Sequence, residues 1–270
     1  MIAHGASFQT LYGGRTNRVW KVIDRGRDKV LKLYDTTLDN PLFRNDARLE
    51  ATCLQALSET GMAPRLRASG HFGKDGWVLY DHAQGTPWQK GVECVARLLR
   101  RLHDMNPPVA APSGRNGSAE LARHGSEILS LCHDKRRKTL QDLMPETSVP
   151  PTARICLIHG DPVAGNILTS PLGAMLIDWQ CPAVGDRCED LALFLSPAMQ
   201  RIYRGRPLTH DQEFRFLQAY GCPETTERYR ELKPWYAWRM AAYCLWRVEH
   251  GAPAYESGLT LELAGLAEAR

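Results

Sequence analysis

The pattern of apolar residues changes along the chain, and this change limits the folds that the sequence can adopt. The first third has short runs in which apolar and polar residues alternate, interrupted by glycine, as in Val19–Ile23 and Lys29–Tyr34. Alternation with a period of two is typical of β-strands, so these runs predict an antiparallel hairpin. A further strand is predicted at Trp77–Tyr80.

The rest of the chain is dominated by helical spacing. A first helix is predicted already at Asn45–Ser58, where Ala47, Leu49, Leu54 and Leu57 recur at helical intervals. Beyond the polar stretch Asp81–Pro87, helices are predicted at residues 92–103 and 119–143 and over most of the last ninety residues. Short strands interrupt them at Ile155–Ile158, Ile167–Thr169 and Ala174–Ile177.

The predicted fold class is therefore α+β, in two lobes. Residues 1–80 are expected to form a small antiparallel β-rich lobe with one main helix, residues 81–86 a hinge, and residues 87–270 a larger, mostly α-helical lobe.

Composition excludes several classes of protein. The 270 residues are 43% hydrophobic and 24% charged, as in ordinary globular proteins. A formal charge of +4 suits anionic ligands such as nucleotide phosphates, but nucleic-acid binders usually carry more positive charge, gathered on one face. The longest basic run, within Asp134–Lys138, is interpreted as a solvated helix face. Binding to nucleic acid is not expected.

The eight cysteines form no C-x-x-C pair and lack the spacing of a disulfide framework or a zinc site. They are predicted to be reduced and mostly buried. No leader-like segment and no apolar run long enough to span a membrane is present in the sequence. A cytoplasmic protein without membrane contact is expected.

Three polar residues stand between or after the strands of the second lobe. Asp161 and Asn166 lie in a loop between two apolar strands, and Asp178 ends the next strand. With a turn at Ser170–Gly173, the strands are predicted to pair so that Asn166 lies opposite Asp178, with Cβ atoms roughly 5 Å apart. An amide oxygen and a carboxylate would then share one face of the hairpin.

This oxygen pair is suited to a magnesium ion. Mg²⁺ commonly takes one or two carboxylates from a protein and completes its shell with nucleotide phosphates. Asp161 would remain free to accept the proton of an attacking hydroxyl or to orient it. Phosphoryl transfer requires little more than such positioning and charge neutralisation.

The pattern His159-Gly160-Asp161 to Asn166, followed by Ile177-Asp178-Trp179, resembles the catalytic core of the aminoglycoside phosphotransferase and choline kinase superfamily. The stretch Gly185–Ala192 continues the resemblance. It implies a fold similar to protein kinases, ATP and Mg²⁺ as cofactors, Asp161 as catalytic base, and Asn166 and Asp178 as metal ligands.

The first lobe resembles the nucleotide-binding lobe of the same family. Leu11–Trp20 is similar to its glycine-rich turn, and Lys32, predicted opposite Trp20, would bind the α- and β-phosphates. Glu50 would orient Lys32, with Asp46 one helical turn earlier as an open alternative. The residues implied at the nucleotide are Gly13, Gly14, Thr16, Asn17, Lys32, Glu50 and the hinge residues Asp81, His82 and Ala83.

Other polar residues near the core pattern have structural interpretations. Asp186 and Glu189 have the spacing of a capping box at a helix start, and Asp190 is interpreted as an anchor rather than a catalyst. His159 is expected to organise the loop, and His103 to pack in a helix.

The acceptor is sought in the aromatic C-terminal third. Aromatic faces attract cations, so Trp235, Trp238 and Trp246 suggest a choline-like or thiamine-like acceptor, unless these residues simply pack in the core. Gln180 is a further candidate substrate residue; choline kinase-like members typically carry Glu there, and the change weakens a choline reading. An aminoglycoside-like acceptor stays open.

The sequence thus predicts an ATP-dependent small-molecule kinase that phosphorylates a hydroxyl of a metabolite or an antibiotic. The alternative is a catalytically silent nucleotide-binding pseudokinase or scaffold. Its partners are expected to be a nucleotide and a small hydroxylated substrate, in a monomer or a homodimer.

Overall fold

The N-terminal part of the chain forms a five-stranded antiparallel sheet. In this computed structural model, residues 5–11, 16–23, 26–35, 37, 39–105 and 109–268 are described. The spatial order of the strands is β1-β2-β3-β5-β4. Their bounds are Ser7–Thr10 (β1), Arg18–Ile23 (β2), Lys29–Leu33 (β3), Leu66–Phe72 (β4) and Asp75–Asp81 (β5). The predicted hairpin and the strand near Trp77 are confirmed.

Helix α1 (Ala47–Leu57) packs on this sheet. Asp46 caps its first turn, because its carboxylate accepts hydrogen bonds from the backbone N–H groups of Arg48 and Leu49 at 2.8 and 3.0 Å. The buried face of the helix carries Glu50 together with apolar residues. A carboxylate is thereby held inside the first lobe.

The remaining chain is mainly helical and carries two small antiparallel sheets. The strands pair as β10 with β7 and as β6-β8-β9. The strand bounds are Thr86–Pro87 (β6), Ile155–Ile158 (β7), Ile167–Ser170 (β8), Gly173–Leu176 (β9) and Ala183–Asp186 (β10). The helices are Val92–Asp104 (α2), Ser118–Ser130 (α3), Arg136–Asp142 (α4), Cys188–Leu195 (α5), Pro197–Arg204 (α6), His210–Tyr220 (α7), Pro223–Glu249 (α8) and Tyr255–Glu268 (α9).

The predicted α+β fold class is correct, with a β-rich first lobe and a helical second lobe. Strands β1, β4, β6 and β10 were not expected from the apolar pattern, because they are short or largely exposed. All eight cysteines carry free thiols, and six of them are buried, as predicted.

The prediction of one helix over residues 119–143 is wrong, because α3 and α4 are separate. The backbone N–H groups of His133 and Asp134 donate to the carboxylate of Glu249 at the end of α8, at 2.9 and 2.8 Å. These N–H groups cannot also continue a helical ladder. A contact between residues far apart in sequence therefore ends α3.

The β8–β9 hairpin differs from its predicted pairing by one residue. Ser170 lies opposite Gly173, which leaves a two-residue turn and places Leu168 opposite Met175. Asn166 accordingly aligns with Ile177, whose N–H donates to the Asn166 carbonyl at 2.9 Å. The predicted pair of Asn166 with Asp178 is therefore wrong.

Helix α8 forms the centre of the helical lobe. Its buried Trp238 lies against α3 at Gly125, where an added Cβ would be 2.3 Å from a ring carbon of the tryptophan. The indole N–H of Trp238 donates to the carbonyl of Leu140 at 2.7 Å. Within the described part of the chain, no helix combines the length and apolar character needed to cross a membrane.

We expect Gly125→Ala to lower the free energy of unfolding by about 1–3 kcal/mol, since the new methyl group overpacks the contact with Trp238. Gly265→Ala in α9 is the matched control, because a Cβ there meets no atom within 4 Å. This control should stabilise the protein by about 0.5–1 kcal/mol through helix propensity. Urea unfolding of both variants tests the packing; equal effects would contradict it.

Candidate active site

The loop between β7 and β8 is shaped by a glycine. Gly160 has a φ of +79°, and a Cβ at this position would lie 2.1 Å from the carbonyl oxygen of Cys181. Only glycine fits such a close approach in this backbone conformation. The loop therefore lies directly against the segment that follows Asp178.

His159 organises the loop, as predicted. Its Nε2–H donates to the carbonyl of Ile177 at 3.0 Å, and its Nδ1 accepts from the Asp161 N–H at 3.2 Å. Burial lowers the pKa of His159, so the ring is neutral and can hold both bonds. The imidazole joins the loop to the end of the β8–β9 hairpin.

Asp190, at the start of α5, binds the backbone of this loop. Its carboxylate accepts the N–H groups of His159 and Gly160 at 2.8 and 2.9 Å, and His103 lies 3.1 Å away. Burial opposes its ionisation, but the bonds from His103 and from the His159 backbone lower the pKa of Asp190. The predicted anchoring contacts of Asp190 are present.

The predicted capping box is absent. Asp186 accepts the N–H of Cys188 at 3.0 Å and pairs with Arg228 at 2.7 Å. Glu189 instead makes a bidentate contact with Arg239 of α8 at 2.7 and 2.6 Å. Because Arg239 of α8 binds both oxygens of Glu189, this carboxylate does not form a capping box.

Asp161 presents a buried oxygen that has no hydrogen-bond donor. Its Oδ2 accepts from Asn166 Nδ2 at 3.0 Å, while its buried Oδ1 receives no hydrogen bond within the described structure. Burial raises the pKa of Asp161 well above its usual range, and the nearby charge of Asp178 adds to this effect. Such an oxygen is suited to accept a hydroxyl proton.

Asn166 and Asp178 approach the same region from different local geometries. The Asn166 amide nitrogen donates to Asp161, which leaves its amide oxygen for another ligand. Asp178 has a φ of +65°, the left-handed conformation that non-glycine residues seldom adopt, and it follows the last residues of the hairpin. This backbone conformation, rather than a strand pairing, sets the direction of the Asp178 carboxylate.

Lys32 connects the sheet to this region. Its buried ammonium donates to Glu50 Oε2 at 2.8 Å, to Gln180 Oε1 at 3.0 Å and to Asp178 Oδ1. Burial alone would lower the pKa of Lys32, but Asp178 and Glu50 outweigh it and raise the pKa. Lys32 lies opposite Val19 rather than Trp20, so that predicted pairing is wrong by one residue.

The alternative between Glu50 and Asp46 is decided by the geometry. Glu50 is buried and binds Lys32, and the hydroxyl of Tyr34 also donates to its Oε2. Asp46 is occupied by its role at the start of α1. The role of Tyr34 could not have been read from the sequence, because it requires the fold of β3 against α1.

Gln180, predicted as a substrate residue, contacts Lys32 and Asn17 in the structure. Its buried amide oxygen accepts from Lys32 and from Asn17 Nδ2, the latter at 2.8 Å. Asn17 also exchanges hydrogen bonds with Asn45 at 2.7 and 2.9 Å. A neutral amide fits here because the carboxylates of Glu50 and Asp178 already neutralise the charge of Lys32. Gln180 thus connects the two lobes.

The other residues predicted at the glycine-rich turn have different outcomes. Gly13 and Gly14 lie outside the described residues. Thr16 lies at the described edge of the turn, beside Asn17.

The predicted hinge offers fewer backbone donors than expected. The N–H groups of Asp81 and His82 donate to the carbonyls of Arg65 and Asp28 at 3.0 and 2.9 Å. The N–H of Ala83 donates to no residue in the described ranges. Only Ala83 among the three is therefore free to offer an N–H to a base.

The three tryptophans predicted at the substrate are core residues. The indole N–H of Trp235 donates to the Thr147 carbonyl at 3.0 Å, and Trp238 is bound to Leu140. Trp246 stacks on His250 with ring centroids 4.2 Å apart. All three side chains are buried, so the choline-like prediction loses the aromatic face on which it was based.

A cavity of about 120 Å³ adjoins the loop at Gly160 and Cys181. The sequence analysis did not identify its polar lining. The basic residues there are Arg44, Arg115, His124 and Arg239. Only Arg239 could have been noticed in the sequence, because it is the single charged residue in the apolar run Trp238–Leu245 of α8.

A sheet lobe, a helical lobe and a lysine–carboxylate cluster between them define a protein with a kinase-like fold. The family model described as the phosphotransferase enzyme family matches residues 7–234. The chain belongs to this family, which confirms the resemblance seen in the sequence. A search of curated proteins finds no match.

Solved structures share this fold at low sequence identity. A choline/ethanolamine kinase family protein from Mesorhizobium loti has a TM-score of 0.68 and 14% identity, over 99% of this chain and 89% of that chain. Aminoglycoside phosphotransferase APH(4)-Ia, in a ternary complex with AMP-PNP and hygromycin B, has a TM-score of 0.66 and 15% identity, over 97% and 94%. Spectinomycin phosphotransferase APH(9)-Ia, in complex with ADP and spectinomycin, has a TM-score of 0.59 and 13% identity, over 97% and 89%.

We expect Glu50→Gln to lower the free energy of unfolding by about 3–5 kcal/mol, because the buried Lys32 ammonium loses one of its two charged partners. Asp46→Asn on the same helix is the control, since Asn caps a helix as well as Asp does. Urea unfolding measures both. Equal losses in the two variants would show that helix integrity, not the ion pair, is responsible.

Proposed function

We propose that this chain is an ATP-dependent kinase that transfers the γ-phosphoryl group to a hydroxyl of a small molecule. The observation that carries this proposal is the buried Asp161 Oδ1, which has no donor within the described structure and lies on the loop that also holds Asn166. A buried carboxylate oxygen without a partner is costly for folding, and a reacting hydroxyl would supply the missing donor.

The chemical step is a direct displacement at phosphorus. The acceptor hydroxyl gives its proton to Asp161 Oδ1 as its oxygen forms a bond to the γ-phosphorus. The bond between that phosphorus and the β–γ bridging oxygen breaks, and ADP leaves. The raised pKa of Asp161 makes it a stronger base once it is deprotonated.

Lys32 is proposed to bind phosphate oxygens of the nucleotide. In the structure it contacts Asp178 directly, so a nucleotide would replace this contact while Glu50 continues to hold the lysine. The adenine edge is proposed to bind the Ala83 N–H and the Asp81 carbonyl. The N–H of His82, which lies between them, already donates to Asp28. The proposed lobe boundary at residues 81–86 thus coincides with the base site.

Asp178 and Asn166 are proposed to hold Mg²⁺. One carboxylate and one amide oxygen form an all-oxygen donor set, which fits a magnesium ion shared with phosphates. In the described ranges, no group of three or more His, Cys, Asp and Glu side chains could hold a metal ion. Nucleotide phosphates would therefore supply further ligands. When bound, Mg²⁺ would neutralise charge on the transferred phosphoryl group.

Two of the structural neighbours support ATP as the donor. APH(4)-Ia was solved with AMP-PNP and hygromycin B, and APH(9)-Ia with ADP and spectinomycin. A nucleotide bound together with a small hydroxylated compound matches the proposed reaction. Use of ATP favours a cytoplasmic location.

We expect Asp161→Asn to reduce kcat by about 10²- to 10⁴-fold, the usual contribution of a general base, and to leave Kd for Mg-ATP within about twofold. ADP release with a panel of hydroxylated metabolites and antibiotics measures turnover, and calorimetry measures nucleotide affinity. Asp211→Asn, at an exposed ion pair with Arg215, is the control. Normal turnover by Asp161→Asn would remove the base assignment.

We expect Asp178→Asn to weaken nucleotide binding in the presence of Mg²⁺ by at least about tenfold, since a metal ligand loses its charge. Binding measured in EDTA should change much less. An unchanged Mg²⁺ dependence would contradict the metal site. Tight Mg-ATP binding by the unaltered protein without transfer to any acceptor would favour the pseudokinase alternative.

A further inference from the structure

The cavity beside the loop at Gly160 is a candidate site for the acceptor. It adjoins Gly160, the neighbour of Asp161, and Cys181, which follows the Asp178 segment by a few residues. Asp161 itself is not part of the described lining, but burial raises the pKa of the Cys181 thiol and the nearby charge of Asp161 adds to this effect. A ligand in this cavity would therefore lie near the proposed base. Its volume of about 120 Å³ is well below the ~300–1,000 Å³ typical of sites for drug-sized ligands.

One wall of the cavity is a segment of the first lobe that is fixed to the helical lobe. Asn40 accepts the N–H groups of Leu42 and Phe43, both at 3.0 Å, and donates to the hydroxyl of Tyr243 at 3.0 Å. The carbonyl of Pro41 accepts from His124 Nε2 at 2.9 Å. These contacts place Arg44 at the edge of the cavity.

A second part of the lining is fixed by a close contact between two glycines. A Cβ on Gly114 would lie 3.1 Å from Gly185 Cα, so the loop packs backbone to backbone on β10. The N–H of Gly114 donates to the Val184 carbonyl at 2.8 Å. Arg115 is thereby held in the lining of the cavity.

The lining of the cavity is strongly positive. Glu189 is the only carboxylate in its described lining, and it is already bound on both oxygens by Arg239. Arg44 and Arg115 form no ion pair with any residue that the structure describes. Among the described residues, two guanidinium groups of the lining therefore have no carboxylate partner and remain for a ligand.

Two buried polar atoms of the lining also lack partners. Arg239 Nε is a free donor, and His124 Nδ1 has no hydrogen bond in the described structure. Because His124 Nε2 donates to Pro41, Nδ1 is an acceptor. Burial and the charge of Arg239 lower the pKa of His124 to about 3, so the ring stays neutral. The cavity thus offers cationic groups for an anion and a neutral acceptor for a hydroxyl.

We propose that the phosphoryl acceptor is a small hydroxylated anion, whose carboxylate or phosphate is bound by Arg44 and Arg115 while a hydroxyl faces Asp161. This inference rests on the proposed kinase activity. A choline-like or aminoglycoside-like cation would meet like charge in this cavity and find no unpaired carboxylate in its described lining. Arginine is suited to both anions because its planar fork binds carboxylate and phosphate in two-point contacts.

The test compares three acceptors of one skeleton that differ in charge, together with two cationic acceptors. ADP release by the full chain with Mg-ATP is measured for glycerate, glycerol 3-phosphate, glycerol, choline and kanamycin. We expect at least one of the two anions to exceed glycerol, choline and kanamycin by about tenfold or more in kcat/KM. The glycerate and glycerol 3-phosphate arms separate a carboxylate acceptor from a phosphate acceptor.

Arginine variants test the groups that carry the proposal. Arg44→Gln and Arg115→Gln should each raise KM for the anionic acceptor about tenfold, the effect of one charged hydrogen bond, with KM for ATP within twofold. Arg123→Gln is the matched control, because Arg123 neighbours His124 on α3 but is exposed and pairs with Glu120 outside the cavity. An unchanged KM in both pocket variants would overturn the proposal.

The two proposals can fail separately. Faster phosphorylation of choline or kanamycin than of either anion would overturn the acceptor class and leave the kinase proposal intact. If nothing is phosphorylated although Mg-ATP binds, the kinase proposal fails. The anion site is then tested by the change in melting temperature on addition of each anion. Stabilisation by glycerate or glycerol 3-phosphate that is lost in Arg44→Gln and Arg115→Gln but kept in Arg123→Gln would support that site; no such stabilisation would overturn it.

Discussion

The buried ammonium of Lys32 is the interaction on which the organisation of the two lobes depends. An isolated charge at this depth would be very costly, and Glu50, Asp178 and Gln180 compensate it from α1 and from the segment after β9. Removal of one partner from such a buried pair typically costs about 3–5 kcal/mol. The lysine therefore fixes the helix of the first lobe and the Asp178 segment of the second lobe in relation to one sheet.

The loop that carries Asp161 is held by contacts that do not themselves react. Asp190 binds two successive backbone N–H groups, His159 reaches the end of the hairpin, and Gly160 permits contact with Cys181. Together they leave one oxygen of Asp161 buried and without a donor. A rigid loop with one unsatisfied oxygen is a preorganised arrangement, in which the cost is met by the surrounding contacts.

The cavity at Gly160 joins residues from distant parts of the chain. Arg44 comes from the link between β3 and α1, Arg115 from the loop before α3, and Arg239 from the middle of α8. Because α8 holds Glu189 through Arg239, the single carboxylate of the described lining is neutralised within the protein. The same helix buries Trp235, Trp238 and Trp246 in the core, so charge rather than aromatic surface gives this cavity its character.

The sequence by itself determined the order of elements and the positions of the polar residues that surround Lys32. Period-two and helical patterns gave the β-rich and helical lobes, and the motif from His159 to Asp178 identified the residues that the structure brings together with Lys32. These signals are local, since strands and helices repeat at short intervals and the motif spans one loop and one hairpin.

Only the tertiary structure decided which polar group meets which. The one-residue shift in the β8–β9 pairing places Ile177 rather than Asp178 opposite Asn166, and the left-handed backbone of Asp178 then sets the direction of its carboxylate. The hydrogen bond from the Asp134 N–H to Glu249 ends α3, and Glu189 binds Arg239 instead of forming the predicted capping box. Gln180, expected at the substrate, instead joins Lys32 to Asn17. The physical reason is common to all of them: a buried polar group must find a partner wherever the packed chain provides one, and its distance along the sequence has no influence on that choice.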